Sequence, residues 1–124
     1  MILTLDKDEY YCKVFVNKDI QRLQLNRIIK DIVSGRFDGF DIDTWWGNIY
    51  LNDNEDAKPP WGKVNDEDFI YWRYFMDIEP SDEVEREDYI ESIAKLMTEL
   101  YNNGCQVIAA CDFEDEVPKY SEKL

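Results

Sequence analysis

The spacing of apolar residues in this chain changes twice from the two-residue period of a strand to the three-and-four spacing of a helix. Residues 9–16 alternate as in a strand, and residues 25–33 carry an apolar stripe with helical spacing. Residues 38–52 and 69–78 have the composition and alternation of two further strands, and a second helical stripe follows at 89–101. Few folds accommodate this order of strand-type and helix-type spacing.

The last apolar run, CQVIAAC at residues 105–111, predicts a buried final strand. The resulting βαββαβ order predicts an α+β fold with two layers and ferredoxin-like order, in which an antiparallel sheet carries two helices on one face. The 124 residues suffice for a single domain. We expect a long exposed acidic loop at about residues 52–68 and a C-terminal tail at about 117–124.

Two details of the strand regions are predicted from parity. The apolar residues change parity within the second region, which predicts a β-bulge or a bend at Trp45-Trp46-Gly47. In the third region the even-numbered residues, including Ile70 and Trp72, are predicted to form the inner face.

The outer face of the sheet is predicted to combine aromatic and charged side chains. Its members are Tyr11, Phe15, Tyr71 and Phe75, beside Lys13, Arg73 and Asp77. Exposed aromatic residues framed by charges are typical of protein–protein hot spots. Alternatively, a loop or a dimer partner covers this face.

The charge balance narrows the classes of partner. The chain has 28 acidic and 14 basic residues, a net charge of −14. Such a chain repels phosphate backbones and anionic membrane surfaces, so we expect no direct nucleic-acid binding and no membrane binding. A cationic protein would be attracted, because a surface potential of one sign accelerates encounter with the opposite sign.

Cysteine and histidine usage disfavours metal sites and a disulfide framework. The three cysteines have no CxxC spacing, and the sequence contains no histidine. The opening MILTLDKDEY lacks the basic start and long apolar run of a secretory signal. We therefore expect a cytoplasmic protein with buried reduced thiols, no bound metal and no cofactor.

Acidic residues cluster in four places, and each cluster is a candidate for chemistry. The clusters are Asp38, Asp41 and Asp43; Asp53, Glu55, Asp56, Asp66, Glu67 and Asp68; Glu79, Asp82, Glu83, Glu85, Glu87 and Asp88; and Asp112, Glu114, Asp115 and Glu116. None has the spacing of a calcium loop, and there is no nucleophile elbow, phosphate-binding glycine loop or dinucleotide fingerprint. We expect a binding protein and not an enzyme.

Two stretches resemble a known group when they are taken together: RYFMDIEP at residues 73–80 and VIAACDFEDEVP at 107–118. Separated by a helix, they are similar to small acidic bacterial immunity proteins of polymorphic or contact-dependent growth inhibition toxin systems. The resemblance implies toxin neutralisation, in which the protein binds a cognate basic toxin domain and occludes its substrate cleft. A nuclease is the expected toxin activity.

The acidic clusters and the aromatic residues supply the candidate toxin-binding residues. One predicted contact patch consists of Asp112, Glu114, Asp115 and Glu116; a second consists of Asp53, Glu55 and Asp56; and Trp61, Tyr71 and Phe75 are the predicted aromatic anchors. Two other functions stay open from sequence, an acidic regulatory or adaptor domain and a carboxylate-based metalloenzyme. The oligomeric state is left open.

Overall fold

The computed structural model describes residues 7–57 and 66–121, and this part of the chain contains six strands and three α-helices. The strands are β1 (Cys12–Asn17), β2 (Arg36–Asp38), β3 (Asp41–Asp43), β4 (Gly47–Asp53), β5 (Tyr74–Pro80) and β6 (Gln106–Ala110). The helices are α1 (Lys7–Tyr10), α2 (Arg22–Val33) and α3 (Arg86–Asn102), with 3₁₀ helices at Asp66–Tyr71 and Glu114–Glu116.

All six strands belong to one antiparallel sheet in the order β2-β3-β4-β5-β1-β6. This confirms the predicted α+β class with an antiparallel sheet and two long helices. The strand order differs from the predicted one, because the single bent strand expected at residues 38–52 is replaced by β3 and β4, and β2 is added at the edge.

The main core lies between one face of the sheet and the helices α2 and α3. Alternate strand residues such as Val14, Met76 and Ile49 are fully buried there. The same core takes Leu25 from α2 and Ile93 from α3, as the helical stripes predicted. Complete burial of each aliphatic side chain contributes about 1.5–3 kcal/mol, so this layer supplies most of the stability. Within the described residues, no helix has the length and apolar character needed to cross a bilayer.

Of the predicted bulge or bend at Trp45-Trp46-Gly47, the bend is confirmed and the bulge is wrong, because these residues close a hairpin. The backbone N–H of Thr44 donates to the carbonyl oxygen of Gly47 at 2.9 Å, and Thr44 Oγ1 accepts from the Gly47 N–H, also at 2.9 Å. Trp45 and Trp46 thus form a two-residue loop between Thr44 and Gly47, and Asp43 pairs with Asn48 beyond it. The change of parity in the sequence reflects a change of strand and not an extra residue within one strand.

The predicted strand at residues 69–78 is only partly correct, because β5 begins at Tyr74. The preceding residues Asp66–Tyr71 form a 3₁₀ helix, and the N–H of Trp72 donates to the carbonyl oxygen of Phe69 at 3.0 Å. Residues three apart share one side of such a helix. Trp72 therefore packs with Phe69 on the outer sheet face and not in the main core, and Ile70 is exposed.

The predicted loop at residues 52–68 and tail at 117–124 lie partly outside the described residues, which lack 58–65 and 122–124. The strand β4 continues to Asp53, and Asn54 to Ala57 form a turn that begins the loop. Near the other end, the backbone N–H of Tyr120 donates to Val107, and the N–H of Val107 donates to Tyr120, each at 2.9 Å. The ring of Tyr120 stacks on Tyr101 with 4.3 Å between centroids.

Candidate acidic interface on the outer sheet face

One half of the outer sheet face is covered by the chain itself. Phe15 in β1 is only 7% exposed, because Phe69 of the 3₁₀ helix contacts it edge-on with 5.2 Å between ring centroids. Trp72 is 1% exposed and completes this small cluster with Ile108. The interpretation that a loop covers the outer face therefore holds for the half formed by β1 and β6, and Phe15 is not available to a partner.

The other half, formed by β3, β4 and β5, is open and acidic. Asn48 in β4 lies opposite Asp43 on one side and Glu79 on the other, so these three residues form one row across the sheet. In the next row, Tyr50 lies opposite Asp77. Neighbouring strands are about 4.8 Å apart, so the carboxylates of the first row extend from backbones about 10 Å apart.

We call this half the acidic sheet face. Its members are Asp41, Asp43, Asp77 and Glu79, with Tyr50 and Tyr11 beside them. All four carboxylates are half-buried in the sheet surface. They stand on paired strands of a six-stranded sheet and not on a loop, so their spacing is set by the sheet.

The pKa values of two tyrosine hydroxyls are raised at the acidic sheet face. The pKa of Tyr50 is raised by partial burial and by the charges of Glu79 and Asp41. The pKa of Tyr11 is raised by burial and by the hydrogen bond that its hydroxyl donates to Asp77. Burial is the larger cause of both shifts, and the adjacent carboxylates add to it because a negative charge disfavours the phenolate.

These four carboxylates are not neutralised by ion pairs in the described part of the chain. The side-chain ion pairs found there engage Asp19, Asp31, Asp53 and Glu116. Lys13 lies opposite Asp77 across the strands, but its ammonium stands over the Phe75 ring, 4.2 Å from the centroid. The face thus keeps negative charge that a cationic partner could neutralise.

The first predicted contact patch is exposed, as a contact surface requires. Asp112, Glu114, Asp115 and Glu116 lie in and beside the 3₁₀ helix that follows β6, and all four are exposed. The guanidinium of Arg86 at the start of α3 pairs with Glu116 and also donates to the hydroxyl of Tyr10. Part of this patch is therefore already occupied by a cation of the same chain.

The second predicted patch lies at the opposite end of the sheet. Asp53, Glu55 and Asp56 are exposed at the end of β4, and Asp53 forms an ion pair with Arg22 at 3.9 Å. The end of β4 lies beside the start of β5, which pairs with the last residues of β1, whereas the end of β6 lies beside the first residues of β1. A strand of about six residues spans about 20 Å, so the two patches do not form one compact site.

The predicted aromatic anchors do not lie together on one element of the fold. Phe75 is half-buried on the outer face, 6.0 Å from the Phe15 ring, and its other side meets Lys13. Tyr71 is half-buried at the end of the 3₁₀ helix. Trp61 lies outside the described residues. Phe75 borders the acidic sheet face and is the anchor best placed to contact the same partner.

Several surface residues were not predicted as site residues. Tyr50 and Glu79 could have been found from the alternation of polar residues along β4 and β5, once the hairpin at Thr44 was recognised. Three exposed aromatic residues in β2 and in the turns that flank β3 were also missed: Phe37, Phe40 and Trp45 are 42%, 71% and 69% exposed. Aromatic side chains this exposed are candidates for contacts with another protein.

The carboxylates of the acidic sheet face lie on β3 and β5, with β4 between them. No group of three or more cysteine, aspartate or glutamate side chains in the described ranges is close enough to hold a metal ion. Dispersed carboxylates on a rigid sheet can instead accept charge-assisted hydrogen bonds from arginine and lysine. No protein-family model, curated protein or solved structure matches this chain. The function therefore has to be argued from the residues themselves.

Proposed function

We propose that this chain is a non-catalytic immunity protein that binds a cognate cationic toxin domain and occludes its basic substrate cleft. The observation that carries the proposal is the acidic sheet face, where Asp41, Asp43, Asp77 and Glu79 share a flat surface with two tyrosines and have no ion-pair partner among the described residues. The resemblance of residues 73–80 and 107–118 to immunity proteins agrees with this role.

The acidic sheet face has the chemistry that a phosphate-binding cleft would recognise. A cleft that binds a nucleic-acid backbone presents arginine and lysine side chains, and spaced carboxylates can take the positions of phosphates. Tyr50 and Tyr11 add aromatic area that is partly desolvated before binding. A nuclease is therefore the toxin activity that fits best. The net charge of −14 would accelerate encounter with such a partner.

The two predicted patches of carboxylates would then contact the toxin domain at the rim of the interface. Asp112, Glu114 and Asp115 would meet the partner at one end of the sheet, and Glu55 and Asp56 at the other. Contacts at the rim change association rates more than they change the lifetime of a complex. In the centre, Tyr50 and Phe75 would contribute through desolvated contact area.

The test is co-expression with the product of the neighbouring reading frame as the candidate toxin. The variant Asp41→Asn/Asp43→Asn/Glu79→Gln removes three charges from the acidic sheet face. The control Asp31→Asn/Glu83→Gln/Glu91→Gln removes three exposed charges elsewhere and gives the same net charge. We expect the first variant to lose growth rescue and the control to keep it.

Association rates measured with purified proteins distinguish long-range electrostatic attraction from direct contact. With the toxin domain, the acidic-face variant should associate roughly ten times more slowly than the control at low salt, and the difference should shrink at high salt. Equal rescue and equal rates for both variants would refute the assignment of the acidic sheet face. Absence of binding to any cationic protein domain at moderate ionic strength would refute the function.

A second candidate is an acidic adaptor that binds through the aromatic residues at the β2 edge. The observation in its favour is the exposure of Phe40 and Trp45, which lie on the two hairpin turns that flank β3. The variant Phe40→Ser/Trp45→Ser discriminates the two functions. It should leave toxin rescue unchanged under the immunity proposal and abolish partner binding under the adaptor proposal.

Two finer expectations accompany the proposal. We infer that β4, β5, β1 and β6 with the two long helices are equivalent to a ferredoxin-like unit, to which β2 and β3 have been added at one edge; the support is that these four strands are consecutive neighbours in the sheet. A cytoplasmic location is supported by the three cysteines, none of which is bonded to another in the described residues. Fractionation of the cells that produce the protein tests the second point.

A further inference from the structure

Two of the three cysteines face each other across the sheet. Cys12 is the first residue of β1, and Cys111 directly follows β6. Lys13 pairs with Ala110 in the antiparallel register, which places Cys12 opposite Cys111. Their sulfur atoms are 3.2 Å apart, although the residues are 99 positions apart in the chain.

The backbone at this position is already suitable for a disulfide. Residues directly opposite each other in antiparallel strands have Cα atoms about 4.5–5.5 Å apart. Disulfides join Cα atoms about 4.4–6.8 Å apart. A bond between Cys12 and Cys111 therefore requires side-chain rotation and a small approach of the sulfurs, without a change of register.

The two thiols differ in accessibility and acidity. Cys12 is fully buried, whereas Cys111 is half-buried at the end of the strand. The pKa of Cys111 is lowered, chiefly because Cys12 donates a hydrogen bond to its sulfur, and the backbone N–H of Phe113 adds to this effect. The pKa of Cys12 is raised by the same hydrogen bond and by burial. Cys111 is thus the attacking thiolate, and Cys12 is the thiol that resolves the intermediate.

We propose that Cys12 and Cys111 are a reversible redox modification site that a low-molecular-weight disulfide converts to an intramolecular disulfide. The Cys111 thiolate attacks one sulfur of the oxidant, forms a mixed disulfide and releases one thiolate. Cys12 then loses its proton and attacks the Cys111 sulfur, which releases the second thiolate. Two protein thiols give up two electrons and two protons, and the oxidant is reduced to two thiols.

The disulfide would cross-link the first residue of β1 to the residue that follows β6. It would join the start of β1 to the residue that precedes the acidic segment of Asp112 and Glu114, and it would close a loop that includes most of the chain. Cross-links that close long loops stabilise most, and a rise in melting temperature of about 10 °C is expected. The disulfide would form in the protein alone, with or without a toxin partner.

The experiment treats the full chain with oxidised glutathione and follows the intact mass, non-reducing peptide maps and thermal unfolding. Cys105 provides the matched control, because it is a buried thiol at the other end of β6 and burial raises its pKa to about 11. Wild type and Cys105→Ser should both lose two hydrogen atoms, yield the Cys12–Cys111 peptide and melt at the higher temperature. Dithiothreitol should reverse all three changes.

Single variants establish the order of attack. Cys12→Ser should stop at a stable mixed disulfide on Cys111, and Cys111→Ser should react at least tenfold more slowly than wild type. A cross-link that includes Cys105, a purely intermolecular disulfide, or full retention of three thiols in wild type would overturn the proposal. The wild-type and Cys105→Ser results decide the question even if a serine at position 12 prevents folding.

Discussion

Replacing Gly47 with alanine should destabilise the protein through a backbone contact that no side-chain movement can relieve. Gly47 is the first residue of β4 and lies opposite Pro80 of β5. A Cβ atom at this position would be 2.4 Å from the carbonyl oxygen of Glu79, although real Cβ atoms essentially never approach closer than 3.0 Å. The same atom would also lie 3.5 Å from the Tyr89 ring.

The loss of stability depends on how rigidly the carbonyl group of Glu79 is held. Overpacking typically costs about 1–3 kcal/mol, and the upper end applies where the obstacle is backbone. The strand β5 is paired on both sides, with β4 and with β1, so it cannot move away from Gly47 without straining two strand pairs. We therefore expect Gly47→Ala to cost about 3 kcal/mol, which is a large fraction of the stability of a small domain.

Gly39→Ala is the matched control. Gly39 has φ +66°, but a Cβ there would meet nothing within 4 Å, so only backbone strain of about 1 kcal/mol applies. Urea unfolding followed by tryptophan fluorescence gives both free energies by linear extrapolation. If Gly47→Ala is no more destabilising than Gly39→Ala, the close approach of β4 to β5 described above is incorrect.

Two further predictions concern tyrosines. The Tyr89 hydroxyl is buried and donates to the carbonyl oxygens of Tyr10 at 2.6 Å and Ile78 at 3.2 Å, so Tyr89→Phe should lower the free energy of unfolding by about 1–2 kcal/mol; a loss below about 0.5 kcal/mol would contradict these bonds. Burial is the main cause that raises the pKa values of Tyr11, Tyr50, Tyr74 and Tyr89 above 10.0. Because the neutral phenols are favoured in the folded state, their contribution to stability is complete below the unfolded pKa and is lost as the pH rises towards the folded values. At about pH 11 the folded protein should therefore show less phenolate absorbance than the urea-unfolded chain, and equal absorbance would refute the shifts.

The elements that sequence predicted well are those whose pattern depends on a single neighbouring core. The stripes of α2 and α3 are buried as their spacing predicted, with Leu25 and Ile93 fully enclosed. The run at residues 105–111 contains the buried strand β6. In these segments local periodicity and the position of the core agree, so the class of fold could be derived without knowledge of distant contacts.

The secondary-structure prediction failed where the residue pattern was compatible with both a strand and a 3₁₀ helix. Ile70 and Trp72 continue the apolar parity of β5, which suits a strand, but Phe69 and Trp72 are also three apart, which suits a 3₁₀ helix. The choice was made by Phe15 and Ile108, which offer an apolar surface on the outer sheet face. Those residues come from β1 and β6, far away in the sequence, so local periodicity could not reveal their role.

The candidate site shows the same division. The sequence by itself determined that the chain is strongly acidic, that its carboxylates occur in clusters and that two helices cover an antiparallel sheet. Only the tertiary structure decided that Asp43 and Glu79 stand in one row, because the hairpin at Thr44 sets the register of β3 and β4 against β5. It also placed the patches at Asp53 and Asp112 at opposite ends of the sheet, because the direction of each strand depends on pairing between residues that are distant in the chain.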